Sequence, residues 1–296
     1  MEQSKLLELV RASIPALDGT HHKGQAGRIG VVGGSLEYTG APYFAGISAL
    51  KVGADLVHII CSKPAATVIK SYSPELIVHP LLDEPDAIES ITPWLDRLHV
   101  FLIGPGLGRD KLIFEVVEKL INVIREKQLP LVIDADGLFL ITEKPELISN
   151  FTSPVILTPN KIEFERLCNK LNGCSGLRDL GQYVTVLRKG AIDELYSSDA
   201  KLEWKCSVGG SGRRCGGQGD LLSGSISTFL HWMLSSNKIA YKDSKKIILA
   251  SSLSCFAAST LIRLCNTKAF ATKGRSMLAT DMIEYIHESF TELYGQ

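Results

Sequence analysis

The sequence predicts an α/β fold: a mostly parallel, doubly wound sheet with helices on both faces and a β-hairpin late in the chain. Three observations lead there. Short apolar runs recur along the chain, with small or polar residues after them. The runs are nearly continuous rather than alternating, as strands buried on both faces are. Helical patterns fill the gaps between them, and alternating strands and helices build a parallel, right-handed sheet.

In chain order, strands are expected at Arg28–Val32, Leu56–Cys61, Val100–Ile103, Leu131–Ile133, Val155–Leu157 and 184–187. Among the connecting segments, Lys111–Glu126 and 161–171 have helical spacing. Glu194-Leu195-Tyr196 and Leu202-Glu203-Trp204 then flank 197–201, which reads as a hairpin. Three helices are expected after a glycine-rich loop, over 221–234, 244–264 and 280–293. No internal repeat, low-complexity tract or linker interrupts the chain, so 1–296 is expected to be a single domain.

Composition narrows the function classes. Hydrophobic residues are 45% of the 296, enough for a large core and against disorder. The formal net charge is +0, which offers no electrostatic case for nucleic acid or a membrane surface. A small-molecule substrate is the default. The seven cysteines include no C-x-x-C pair, which argues against a disulfide framework and against a zinc site. The first ten residues contain two acids and read as neither signal nor transit peptide, and no 18-residue apolar run is seen. A cytoplasmic location is expected, with a mitochondrial form only from a longer product. A homo-oligomer is left open.

Ligands of such sheets sit beyond the carboxyl ends of the strands. The residues there are Gly33-Gly34-Ser35, Gly104-Pro105-Gly106-Leu107-Gly108-Arg109-Asp110, Asp134-Ala135-Asp136-Gly137, Thr158-Pro159-Asn160 and Lys189-Gly190. Together they predict one long crevice. For Asp134 and Asp136 a ligand-facing role competes with a turn closed by Gly137. His21-His22 reads as exposed loop, since adjacent residues do not share a face. Tyr38 to Tyr43 either contacts a ligand or starts a helix.

The sharpest signal is 209–220, with six glycines in twelve residues. Such a tract cannot pack a core, but it can turn tightly and present backbone N–H groups. Leu222, Ile226, Phe229, Leu230 and Met233 follow at helical spacing, so the loop feeds a helix N-terminus, where anions are favoured. Arg213 and Arg214 add positive charge. Asp220, at the helix start, is either an N-cap or a base beside a phosphate cradle. The loop is neither a Walker A motif nor a Rossmann fingerprint.

Gly217-Gln218-Gly219-Asp220 resembles the G-x-G-D motif of ribokinase-like kinases, and Asn160-Lys161-Ile162-Glu163 resembles their N-x-x-E motif. The closer resemblance is to the ATP-dependent (S)-NAD(P)H-hydrate dehydratases of eukaryotic type. It is carried by 23–28, 31–35, 104–110, 133–138, 157–160 and 214–220, which span almost the whole chain. It implies a three-layer α/β/α fold and ATP-dependent dehydration of the S forms of NADHX and NADPHX. Asp220 would be the catalytic base. Gly106, Asn160, Lys161, Ile162, Glu163, Phe164, Glu165, Arg166 and Asp220 would contact the hydrated dinucleotide. Lys189, Gly190, Ala191, Ile192 and Asp193 would hold ATP, with Gly210, Ser211, Gly212, Arg213, Arg214, Cys215, Gly216, Gly217, Gln218 and Gly219. Mg²⁺ would accompany ATP, with Glu163 helping to hold it through water. Phe164 could equally be core, because it has helical spacing with Leu167.

Two other functions remain open at this point: a vitamin-type kinase releasing a stable phosphorylated product, and a dinucleotide-binding homologue without catalysis. The second draws on 169–181, which is shorter than the family pattern. Loss of a helix there is expected to expose apolar neighbours and loosen the strand before Lys189. Cys215, beside an arginine, is a candidate for oxidation.

Overall fold

Nine strands form one sheet in a computed structural model that describes residues 2–19, 22–239 and 244–295. The strands are β1 (Arg28–Val32), β2 (Leu56–Cys61), β3 (Leu76–Pro80), β4 (Val100–Ile103), β5 (Leu131–Ile133), β6 (Val155–Leu157), β7 (Val184–Arg188), β8 (Asp193–Ser197) and β9 (Lys205–Cys206). Their order across the sheet is β3-β2-β1-β4-β5-β6-β7-β8-β9. From β1 to β7 all neighbours are parallel; β8 and β9 add antiparallel pairs.

The helices are α1 (Gln3–Ser13), α2 (Gly40–Val52), α3 (Lys63–Tyr72), α4 (Ala87–Leu95), α5 (Lys111–Glu126), α6 (Ala135–Glu143), α7 (Glu146–Ser149), α8 (Lys161–Lys170), α9 (Gln218–Ser235), α10 (Ser244–Lys273), α11 (Ala279–Glu284) and α12 (Ile286–Tyr294). One buried cluster joins the sheet to α1, α2, α3, α9, α10 and α12. A second joins its other face to α4, α5, α6 and α8. The result is the three-layer α/β/α arrangement.

The chain runs outward from β1 to β3, then returns to β4 on the other side of β1. That reversal opens a crevice at the carboxyl ends of the strands. The loops there touch backbone to backbone. A Cβ on Gly33 would lie 2.1 Å from the Pro105 carbonyl, and one on Gly104 would lie 1.8 Å from the Asp134 carbonyl. Only glycine permits that approach.

Helix α9 crosses the interior and is buried from Leu221 to Leu230. Its hydroxyls are satisfied within helices: Ser225 donates to Leu221 O, Ser227 to Ser223 O and Thr228 to Ala49 O in α2. Helix α10 is long and apolar enough, by composition, to cross a membrane, although it holds no continuous 18-residue apolar run. It is instead mostly buried against α9 and the sheet, as a core helix is.

Several boundaries differ from expectation. Strand β3 was not anticipated, because an edge strand with Ile77 exposed and His79 half-buried does not read as a buried run. The hairpin partner of β8 is Lys205–Cys206 rather than 202–204; Ala200–Leu202 form a 3₁₀ turn, though Trp204 O still accepts from Leu195 N–H. The last expected helix is two, α11 and α12, parted at Tyr285. Against the cysteine argument, Cys168 and Cys174 form a disulfide. Positive φ at Asn172 and Gly173 folds the chain back far enough to bring their Cα atoms within 4.6 Å. The short 169–181 segment is a 3₁₀ turn over Cys174–Asp179 whose Leu177 and Leu180 are both buried, so the apolar neighbours stay covered. Strand β7 keeps both its partners. Of the histidine pair, His21 lies outside the described residues and His22 is exposed.

The tightest helix contact is at Gly224 of α9, where an added Cβ would lie 2.0 Å from Ala45 O. Gly224→Ala is expected to destabilise the fold by about 3 kcal/mol, at the upper end of overpacking costs. A urea-unfolding midpoint unchanged from wild type would contradict it.

Candidate active site

The glycine tract delivers the start of α9 to the crevice. Gly217 is the N-cap, with φ +91°, and no side chain caps the helix. A Cβ there would also press on Ala279 and Phe44, at 2.7 and 2.8 Å. The first helical bond runs from Leu221 N–H to Gly217 O (2.9 Å). The N–H groups of Gln218, Gly219 and Asp220 lie ahead of it and point out of the helix end. Asp220 is therefore not the N-cap; it stands in the first turn, at the positive end of the helix dipole.

Lys189, just past β7, projects into the same place. Its Nζ donates to Asp134 Oδ1 at 2.7 Å, and both side chains are largely buried. A Cβ on Gly219 would lie 3.1 Å from that ammonium. Burial would lower the Lys189 pKa, but Asp134, Glu163 and Asp220 around it raise it instead. The pKa of the Asp220 carboxyl is raised as well, here by burial itself. Burial and then the negative charge of Asp134 push it up to about 8, against the opposing pull of Lys189. Burial also raises Glu163.

Asn160 and Glu163 form a capping box at the start of α8. The Asn160 side chain accepts from Ile162 and Glu163 N–H, and Glu163 Oε2 accepts from Asn160 N–H at 2.8 Å. Asp134 caps α6, and Asp136 accepts from Gly108 N–H and pairs with Arg109. Both aspartates thus fasten loops, and Asp134 also meets Lys189 in the crevice.

A cavity of about 420 Å³ opens beside the α9 N-terminus. It brings together Asn160, Lys189, Gly190, Asp193, Gly210, Arg214, Cys215, Gln218 and Gly219. A neighbouring cavity of about 310 Å³, between α6 and α8, holds Glu163 and Arg166 with Arg109 and Phe139.

The family profile described as NAD(P)H-hydrate dehydratase matches residues 29–288. The ATP-dependent (S)-NAD(P)H-hydrate dehydratase of Aedes aegypti is 57% identical over 294 residues, covering 99% of this chain and 86% of that protein. The human protein of the same name is 48% identical over 305 residues, covering 99% and 86%. The chain belongs to the NAD(P)H-hydrate dehydratase family. Solved structures agree on the fold. The Bacillus subtilis ADP/ATP-dependent NAD(P)H-hydrate dehydratase, co-crystallised with ATP/Mg²⁺, superposes with TM-score 0.67 at 22% identity, over 97% of each chain. A ribokinase-like superfamily protein from Enterococcus faecalis gives 0.76 at 21%, over 98% of this chain and 95% of that one.

Not every residue expected to bind a ligand in this NAD(P)H-hydrate dehydratase lines these two cavities. Phe164 is buried against Tyr196, with Arg188 over its ring, so it is core and not a contact. Lys161, Ile162 and Glu165 are exposed on α8, and Lys161 pairs with Glu165. Asp193 has its carboxylate fully engaged by Gly190 N–H, Ser259 and Arg263. Gly210 N–H is taken by Arg263 O and Thr267, so that amide does not face a ligand. Ala191 and Ile192 are exposed, and neither they nor Ser211 and Gly216 line the larger cavity. Gly212 and Arg213 line a separate cavity with Arg214, Phe270 and Arg275. Gly106 is held under Tyr38, where a Cβ would lie 2.4 Å from the Tyr38 carbonyl. Tyr38 itself is exposed beside the start of α2. The Cys215 thiol accepts from the Gln218 side chain.

One functional residue escaped the sequence reading. Arg263 of α10 donates from Nε to Val208 O and from Nη2 to Ala191 O and Gly209 O, at 2.7–2.9 Å. It also pairs with Asp193 at 3.4 Å. A single guanidinium thereby ties the loop after β7 to the start of the glycine tract. No motif marks it; an arginine in a long helix reads as surface.

Arg263→Ala is expected to cost about 3 kcal/mol, the scale for removing one partner of a buried pair. Amide exchange should rise at 190–193 and 208–210 together. Increased exchange at only one loop would contradict the clamp.

Proposed function

We propose that this chain restores hydrated NADH and NADPH, using ATP to dehydrate the S form of NADHX or NADPHX. The observation that carries the reading is the α9 N-terminus: free amide N–H groups, a lysine and one carboxylate of raised proton affinity meet at a single point of the crevice. Family membership supplies the substrate. The glycine tract and the cavity beside Lys189 take ATP, with its terminal phosphoryl at the N–H groups of Gln218 and Gly219. Asp220 faces the hydroxyl of the hydrated ring.

The chemistry follows from those positions. The Asp220 carboxylate accepts the hydroxyl proton as the oxygen attacks the γ-phosphorus, and ADP leaves as the bridging P–O bond breaks. The helix amides and Lys189 stabilise charge on the transferring group. Phosphate then departs with its oxygen while a proton leaves the adjacent ring carbon, which restores the ring double bond. ATP is needed because hydroxide is a poor leaving group and phosphate a good one.

Mg²⁺ belongs to this reading as an ion carried by ATP. Among the described residues no group of three or more His, Cys, Asp or Glu could hold a metal alone. Mg²⁺ is commonly bound through a carboxylate or two, phosphates and water. Glu163, whose Oε2 serves the capping box, would use its second oxygen for a metal-bound water. Bound there, the ion would neutralise charge on the phosphates. A cytoplasmic site of action completes the proposal; nucleic-acid and membrane partners have no part in it.

Incubating the protein with S-NADHX, ATP and Mg²⁺ should restore the absorbance of reduced nicotinamide. Accumulation of a stable phosphorylated alcohol would instead support a kinase. Asp220→Asn should retain substrate binding and lose turnover at least about a hundredfold, the usual scale for a general base. A residual rate within a few-fold of wild type would remove Asp220 from that role. The base acts only when deprotonated. Because its pKa is raised to about 8, kcat/KM for S-NADHX should climb with pH through neutrality and level off above about 8. A profile already flat from pH 5 would show that Asp220 ionises like an ordinary aspartate.

A further inference from the structure

Helix α10 carries one side chain that no structural role accounts for. Asn266 is 4% exposed and lines the 420 Å³ cavity. Its Oδ1 has no hydrogen-bond partner among the described residues. Its Nδ2 meets only the thioether of Met282, at 3.8 Å. Buried amides are normally satisfied, and leaving one unmatched is costly. A group of that kind persists where a ligand completes it.

The cavity shows which ligand. Its lining includes Lys189, Arg214 and Gly219, a cationic and glycine-rich set. It also includes apolar Leu222, Ile262 and Met282, and Met282 is the residue the Asn266 amide touches. Ser259, Ile262, Arg263 and Asn266 fall at three- and four-residue steps, so one face of α10 forms this wall. Cations and glycines beside apolar side chains and a buried amide with an open oxygen match a nucleotide, phosphates at the cations and base at the amide.

We propose that Asn266 determines base specificity in this cavity by pairing with the amino-bearing edge of adenine. The inference rests on the reading that the cavity takes ATP. A primary amide offers a donor and an acceptor side by side. Adenine presents their complement at N6 and N7, whereas guanine presents two acceptors at O6 and N7. The terminal amide torsion is soft, so turning it to meet the base costs little. Against the O6/N7 edge of guanine placed the same way, the amide would use only its nitrogen and leave its own oxygen unpaired.

The test compares wild type with Asn266→Leu, of similar volume, and Asn266→Ala. Calorimetric titration with AMP-PNP and with GMP-PNP, both with Mg²⁺, gives the base preference. Asn266→Leu is expected to weaken AMP-PNP about tenfold and to leave GMP-PNP within about twofold, as loss of a base-reading hydrogen bond does. The melting temperature without nucleotide should not fall, because an unpartnered polar group is being replaced by an apolar one. A purely structural Asn266 would give a lower melting temperature and an unchanged AMP-PNP to GMP-PNP ratio. That outcome, or a wild type that binds both analogues equally, overturns the proposal. Turnover of S-NADHX separates the two readings. Base preference that depends on Asn266 without turnover sinks the dehydratase reading alone. Turnover with a preference that survives Asn266→Leu sinks this one alone.

Discussion

One ammonium shared among three carboxylates governs the geometry of the crevice. Lys189 binds Asp134 directly and feels Glu163 and Asp220 as well. Each acid arrives from a different element: Asp134 from the end of β5, Glu163 from the first turn of α8, Asp220 from the first turn of α9. Buried charges of one sign gather only where something compensates them. Here the compensation is one lysine and the exposed amides of a helix end, and it is incomplete. Burial first, and then the charge of Asp134 that this shortfall leaves unbalanced, raise the proton affinity of Asp220. Carboxylates pressed together around too little positive charge make one of them a base at neutral pH.

The glycines follow from the same requirement. For Lys189 to reach Asp134 and lie beside Gly219, the loops after β4, β5 and β7 must meet the α9 terminus with almost no side-chain volume between them. Gly104 touches Asp134 backbone to backbone, and Gly219 leaves room for the lysine head. The remainder of the tract needs anchoring from behind, because flexible glycine would otherwise cost entropy on binding. Arg263 provides it by spending its donors on the carbonyls of 191, 208 and 209. The cradle is therefore held from behind by a side chain of a helix further along the chain, 54 residues beyond Gly209.

What could be read from the sequence depended on whether local chemistry or distant packing set each feature. Six of the first seven strands were legible because burial on both faces leaves a continuous apolar run. Strand β3 was not, because its edge position relaxes that demand at Ile77 and His79. The G-x-G-D and N-x-x-E segments stood out, since tight turns and capping boxes restrict residue types within four positions. Arg263 and Asn266 did not. They lie on a long, mostly buried helix, and their partners are 54 residues or more upstream for Arg263 and 16 downstream for Asn266. The disulfide was missed for a related reason: six-residue spacing implies no pairing until Asn172 and Gly173 turn the chain. Phe164 could be called either way from periodicity, and only the ring of Tyr196 beside it decides for the core.

The short segment between α8 and β7 shows how far the crevice is insulated from its surroundings. A missing helix would matter if it uncovered β7, since Lys189 follows directly from that strand. It does not, because two leucines do the covering. Leu177 and Leu180 drop from a single 3₁₀ turn into the cluster shared with Phe164, Leu167 and Val184. The disulfide closes the start of that turn onto the end of α8. Register is held independently, by β6 on one side and β8 on the other. The position of Lys189 is thus set by sheet hydrogen bonds and by its buried partner, and only weakly by the layer outside. A 3₁₀ turn in that layer is therefore enough to keep the strand that leads to Lys189 covered.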